Sequence, residues 1–120
     1  MPASKIMVVD DSIVDLQHLK LIIEGAGYQV VTASNGKEAV EKARSTRPDL
    51  ILMDVVMDGG DGYEACRAIT SDRETGKIPV IFVTSKSQKA DRVWAELQGG
   101  RGLISKPYSA EEIIRTIAAI

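Results

Sequence analysis

The chain has 120 residues, enough for one domain and for a core that folds without disulfides or a structural metal. Lys plus Arg number 15 against 17 Asp plus Glu, a net charge of −2 that removes the sequence-independent attraction on which nucleic-acid binders depend. Cys66 is the one cysteine and has neither a disulfide nor a CxxC partner; no apolar run reaches the ~18 residues of a membrane span, and no signal-peptide layout opens the chain. These features predict a single cytoplasmic domain over residues 1–120, with no nucleic-acid and no membrane partner.

The first apolar run, Ile6 to Val9, reads as a strand and leads directly into Asp10-Asp11. Ile13, Leu16, Leu19, Ile22 and Ile23 then recur at helical spacing, closed by Gly25 and Gly27. Gln29 to Ala33 is half apolar, as an edge strand is. Ala39, Val40 and Ala43 form a second helical stripe, opened by Asn35-Gly36 and ended before Pro48. Leu50 to Met53 is apolar on both faces and ends on Asp54. Tyr63, Ala65, Cys66 and Ile69 mark a third helix, with Asp61 as its expected N-cap. Val80 to Val83 is a buried strand that runs into Thr84-Ser85. Ala90, Val93, Trp94 and Leu97 repeat at i, i+3, i+4, i+7 as an apolar stripe, and Gly99-Gly100 ends that helix. A weaker pair, Leu103-Ile104, precedes Lys106-Pro107. Ser109 with Glu112 has capping-box spacing, and Ile113, Ile114, Ile117 and Ile120 are expected to face the sheet.

Strands and helices thus alternate strictly, which predicts an α/β fold: a parallel sheet with right-handed crossovers and helices on both faces. In such sheets ligands bind outside the carboxyl ends of the strands, where strand order reverses. Four strands here deliver polar residues to that edge: Asp10-Asp11, Asp54, Thr84-Ser85 and Lys106. Each alone has a plain explanation, as a helix cap, a turn residue or a solvated charge. Together they do not. Three carboxylates within about 4–5 Å repel by a few kcal/mol per pair at an effective dielectric of about 20. The single Lys106 ammonium cannot offset them, so the cluster calls for a divalent cation or for raised pKa values. Hard oxygen ligands that leave room for water and phosphate favour Mg²⁺.

With such an ion, the Asp54 carboxylate has the means to attack phosphorus and form an acyl phosphate. Lys106 would supply a second positive contact and the Thr84 hydroxyl a donor, which is the positioning and electrostatics that phosphoryl transfer needs. Nucleotide-binding alternatives lack their motifs: GxxxxGK[ST] occurs nowhere, and no GxGxxG follows the first strand.

The ordered set VVDDS (Val8 to Ser12), LILMDVVM (Leu50 to Met57), DG (Asp61-Gly62), VTS (Val83 to Ser85) and SKP (Ser105 to Pro107) resembles the receiver domains of two-component response regulators, single-domain chemotaxis receivers above all. The resemblance covers essentially the whole chain. It implies a flavodoxin-like (βα)5 fold with strand order 2-1-3-4-5, and phosphotransfer to Asp54 from a CheA-like histidine kinase or a phosphotransfer protein. It further implies Mg²⁺ held by Asp11, Asp54 and the Val56 backbone carbonyl, with Asp10 acting through a water. Thr84 and Lys106 would read the phosphoryl group, and the Lys106–Pro107 bond is expected to be cis. The stretch from Lys86 to Lys106 is most similar to receivers of type IV pilus (twitching) chemosensory systems. The resemblance implies self-phosphotransfer and autodephosphorylation rather than multiple turnover, with output passing by contact to an unidentified protein target or ending in a phosphate sink. A phosphorylation-independent binding module is the alternative.

Several positions depart from that pattern. Asp58 stands where the family usually has Pro, followed by Gly59, Gly60, Asp61 and Gly62. Leu103 stands where a switch aromatic is common, with Trp94 and Tyr108 nearby as possible substitutes or as packing residues. Val56 and Lys86 flank the family's path of hydrolytic water, and Val56 has no group to hold that water. Lys86, Lys89, Arg92 and Arg101 form a basic cluster around the fourth helix, either a solvated face or a docking patch for an acidic partner.

Overall fold

Residues 4–57 and 62–120 are described in the computed structural model, and the expectations for Asp58 and for Asp61 as a cap lie outside them. The five strands are β1 (Lys5–Val9), β2 (Gln29–Ala33), β3 (Leu50–Met53), β4 (Val80–Thr84) and β5 (Gly102–Ser105). They pair in parallel in the order β2-β1-β3-β4-β5. Five helices connect them: α1 (Ile13–Gly25), α2 (Gly36–Thr46), α3 (Gly62–Ser71), α4 (Lys89–Leu97) and α5 (Ala110–Ala118). The flavodoxin-like expectation holds.

Strand alternation divides the core in two. Ile6, Val8, Leu50, Leu52, Ile81, Val83 and Ile104 point to one face, where Leu19 and Ile23 of α1 and Ile113 and Ile117 of α5 cover them. Met7, Val9, Ile51, Met53, Val80 and Phe82 point to the other, under Ala39, Ala43, Ala65, Cys66, Ile69 and Ala95 of α2, α3 and α4. The chain leaves β1 for β2 on one side and returns to β3 on the other. The carboxyl ends of β1 and β3 therefore flank the point where strand order reverses, the natural crevice of this fold.

The caps explain where the helices start. Asn35 and Ser109 accept hydrogen bonds from the backbone N–H of Glu38 (2.8 Å) and Glu112 (3.1 Å). At α1 the cap is Ser12, whose Oγ accepts from the Asp15 N–H at 3.3 Å, rather than Asp10 or Asp11. Cys66 is buried, its Sγ–H donates to the Gln98 carbonyl at 3.3 Å, and burial pushes the thiol pKa up to about 12.

The helical stripes differ from expectation in three places. Ile13 is exposed at the start of α1, and Ile120 lies exposed beyond the end of α5. The larger difference is α4, whose Val93, Trp94 and Leu97 are exposed while only Ala95 is buried. Small residues decide that orientation. A Cβ on Gly100 would sit 2.7 Å from the Phe82 ring, so this end of the helix rests directly on β4 through Ala95 and Gly100. Trp94 meets Tyr63 edge-on at 6.5 Å, and Tyr63 meets Phe82 edge-on at 5.2 Å.

Asp49 ties the start of β1 to β3: its Oδ2 accepts from the backbone N–H of Ser4 and of Lys5, both at 2.9 Å. Those donors hold its carboxyl below the usual aspartate range. A depressed folded-state pKa contributes stability above the unfolded value, and that contribution is lost as pH falls through the folded one. Asp49→Asn should therefore lower the melting temperature at pH 7, and the gap to wild type should close on acidification below pH ~3, as thermal unfolding across pH would show.

Candidate phosphoacceptor site

The site begins one residue past the sheet. The backbone N–H of Asp10 donates to the Ala33 carbonyl (3.1 Å) and that of Asp54 to the Val9 carbonyl (3.0 Å), so the parallel ladder itself fixes both aspartates. Lys106 is placed the same way, its N–H bonding to the Thr84 carbonyl at 2.9 Å. The Lys106–Pro107 peptide is cis, as expected.

Lys106 Nζ lies 2.9 Å from Asp10 Oδ2, 3.0 Å from Asp15 Oδ2 and 3.1 Å from Asp54 Oδ2. An ammonium has three donors, and these three carboxylates take one each. Burial falls off outward: Asp10 keeps 2% of its side-chain surface exposed, Asp54 12%, Lys106 17% and Asp15 41%. Burial alone would pull the Lys106 pKa down, but the hydrogen bonds to Asp10, Asp15 and Asp54 outweigh it and raise it. Lys106 is a fixed cation. Burial raises the Asp10 pKa, only partly offset by the Ser12 N–H on its Oδ1 (2.9 Å) and by Lys106.

The remaining expected residues frame this cluster. Asp54 Oδ1 accepts from the Val55 N–H (2.7 Å) and from the Val56 N–H at 3.4 Å. Val56 and Asp11 are exposed at the rim. Thr84 is fully buried and its Oγ1 accepts from the Lys86 N–H at 3.1 Å. Asp10, Asp54 and Lys106 are thus joined directly, and Thr84 reaches Lys106 through the backbone. Leu103 packs, partly buried, on the Phe82 side of the sheet, and its carbonyl accepts from Arg92 at 3.3 Å. Lys86, Lys89 and Arg101 are exposed.

Sequence reasoning passed over Asp15. Its signal was present: Asp15 is an acid in the first turn of α1, within four residues of Asp11 and next to the strand end that carries Asp10. Tyr108 was read as a substitute for the switch aromatic or as a packing residue, and its contact with His18 was not foreseen. Its ring stacks on His18 at 5.6 Å with a hydroxyl to Nδ1 distance of 3.2 Å, and the pair walls a cavity of about 400 Å³ shared with Asp15, Ser85, Lys106 and Pro107.

The donor set is all oxygen: carboxylates, a hydroxyl and backbone carbonyls, as hard divalent ions prefer. Asp10, Asp15 and Asp54 share a single ammonium, with Asp11 exposed next to Asp10 in the chain, so negative charge is in excess. Among the described residues, no group of three or more His, Cys, Asp and Glu side chains forms a metal-holding cluster by itself. The fit to Mg²⁺ rests instead on the hard carboxylate oxygens and on a negative charge that Lys106 alone does not offset.

The response regulator receiver domain profile matches residues 6–118. The chain belongs to that family. This receiver domain is 44% identical to PilH of Pseudomonas aeruginosa over 117 residues, covering 98% of this chain and 97% of PilH. It is 38% identical to the Bacillus subtilis transcriptional regulatory protein PhoP but spans only about half (48%) of that protein's length. In structure it is similar to the chemotaxis protein CheY4 of Vibrio cholerae, with a TM-score of 0.93, 30% identity and 98% of each chain covered. It is also similar to the receiver domain of a Pseudomonas aeruginosa PAO1 sensor histidine kinase, which carries magnesium in its active site cleft. That match has a TM-score of 0.88 and 29% identity, over 96% of this chain and 94% of the other. No helix of the described residues is long and apolar enough to cross a membrane.

Gly62 opens α3 against the backbone of Asp54 and Val55 in this receiver domain. Its N–H donates to the Val55 carbonyl at 2.7 Å, and a Cβ there would fall 2.0 Å from the Asp54 carbonyl oxygen. Backbone cannot yield as a side-chain tip can. Gly62→Ala should cost about 1–3 kcal/mol of stability, read from the urea midpoint.

Proposed function

We infer that the chain is a phosphoacceptor that takes a phosphoryl group from a histidine kinase or phosphotransfer protein onto Asp54. The observation that carries this reading is the convergence of Asp54, Asp10 and Lys106 at the strand ends flanking the β1/β3 reversal, in a chain of the receiver family. In the transfer, a carboxylate oxygen of Asp54 forms a bond to phosphorus while the P–N bond of the donor phosphohistidine breaks. The electron pair of that bond stays on the imidazole nitrogen, which then takes up a proton from solvent.

This chain's residues divide the work. The backbone rung to Val9 holds Asp54 in place, and the Val55 N–H turns its Oδ1. Lys106 places positive charge where phosphoryl oxygens arrive, and the Thr84 hydroxyl donates to another of them. Mg²⁺ held by Asp11, Asp54 and the Val56 carbonyl, with Asp10 through a water, would neutralise charge on the transferring group. The similarity to PilH supports a place in a twitching-type chemosensory system in the cytoplasm, with a CheA-like kinase as donor and signalling to a protein target by contact.

Incubation with Mg²⁺ and acetyl phosphate, followed by intact-mass measurement, tests the reading. Wild type should gain one phosphoryl group, and Asp54→Ala or chelation of the ion should abolish the gain. A wild-type chain that stays unmodified would leave the phosphorylation-independent binding module in its place. Val56 is exposed at the rim and its side chain has no polar atom to hold an attacking water. Val56→Asn should shorten the phosphoryl lifetime several-fold, measured as decay of the phosphorylated mass after donor removal.

A further inference from the structure

Lys106 Nζ has three N–H donors, and Asp10, Asp15 and Asp54 occupy all of them. A phosphoryl oxygen that engages this ammonium has to displace one carboxylate. The three are not equivalent. Asp10 is buried, and its release would leave an unpaired carboxylate inside the protein. Asp54 is the acceptor: the oxygen that bonds phosphorus gives up its charge and its donor on Lys106 passes to the new group, so a second phosphoryl oxygen engages the ammonium only in place of Asp10 or Asp15. Asp15 is the most exposed of the three, sits in the first turn of α1, and opens onto the cavity beside Lys106 and Tyr108. Water can solvate it at once, and the helix N-terminus favours its charge after it lets go.

We propose that Asp15 is a positioning residue for phosphoryl capture: its carboxylate is the displaceable anchor of Lys106, exchanged for a phosphoryl oxygen when the site is filled. The inference rests on the phosphoacceptor reading. Asp15 holds the ammonium in the crevice when no phosphoryl group is present, and its charge opposes the arrival of an anion. It therefore sets how tightly the site takes a phosphoryl group, without touching the reacting atoms.

Two readouts test this. Titration of wild type with beryllium fluoride in the presence of Mg²⁺ gives the affinity for a non-reacting phosphoryl mimic, and acetyl phosphate dependence followed by intact mass gives the half-saturating donor concentration and the maximal rate. Asp15→Asn should bind the mimic about five-fold more tightly and half-saturate at a correspondingly lower donor concentration, with the maximal rate changed less than about two-fold. Asp15→Glu, which keeps the charge, should behave as wild type, and Glu41→Gln, which removes a charge elsewhere on the surface, should change neither quantity. Asp15→Ser provides a second neutral variant should Asp15→Asn fold poorly. Unchanged or weaker binding by the neutral variants, with wild type still phosphorylated, overturns the inference and leaves the phosphoacceptor reading standing. A wild-type chain that neither binds the mimic nor takes up phosphate overturns both.

Discussion

One ammonium organises this end of the molecule. Lys106 reaches from the end of β5 to carboxylates at the end of β1, the end of β3 and the first turn of α1, so a single side chain ties four elements together. Removing it would leave acidic groups of one sign crowded in a half-buried crevice, where each unscreened pair is costly. The same arithmetic leaves the crevice with more negative charge than one cation satisfies, held rigidly by the parallel ladder.

The scaffold keeps that crevice rigid by filling both faces of the sheet with aliphatic side chains and reserving small residues for close approaches. Gly62 lets α3 begin against the Asp54 carbonyl, and Ala95 with Gly100 lets α4 rest on Phe82. One result is that α4 turns its bulkier apolar residues outward. Val93, Trp94 and Leu97 form an exposed face beside the basic residues Lys86, Lys89 and Arg92, while Trp94 stays in edge contact with Tyr63.

Much of this was legible in the sequence because parallel strands buried on both faces leave little ambiguity. Leu50 to Met53 has no polar position until Asp54, so the strand and the aspartate that ends it are read together. The order of the polar residues at four strand ends is enough to place the crevice. Other features are not written in periodicity. A stripe at i, i+3, i+4, i+7 says that residues share a side of α4, and it does not say which side meets the sheet; Ala95 and Gly100 decide that through steric fit. Adjacent Asp10 and Asp11 look alike in sequence, yet neighbouring residues at a strand end point opposite ways, one inward and one to the rim. Asp15 resembled an ordinary first-turn acid, and only the reach of a lysine some ninety residues away distinguishes it.

Cys66 carries a practical consequence. It is the chain's one thiol, buried on the inner side of α3 against Gln98 and held protonated by that burial, so alkylating reagents and mild oxidants have no thiolate to attack. A cysteine introduced anywhere on the surface would then be the sole reactive sulfur, and spin labels or fluorophores could be attached there in native conditions without first deleting the natural residue.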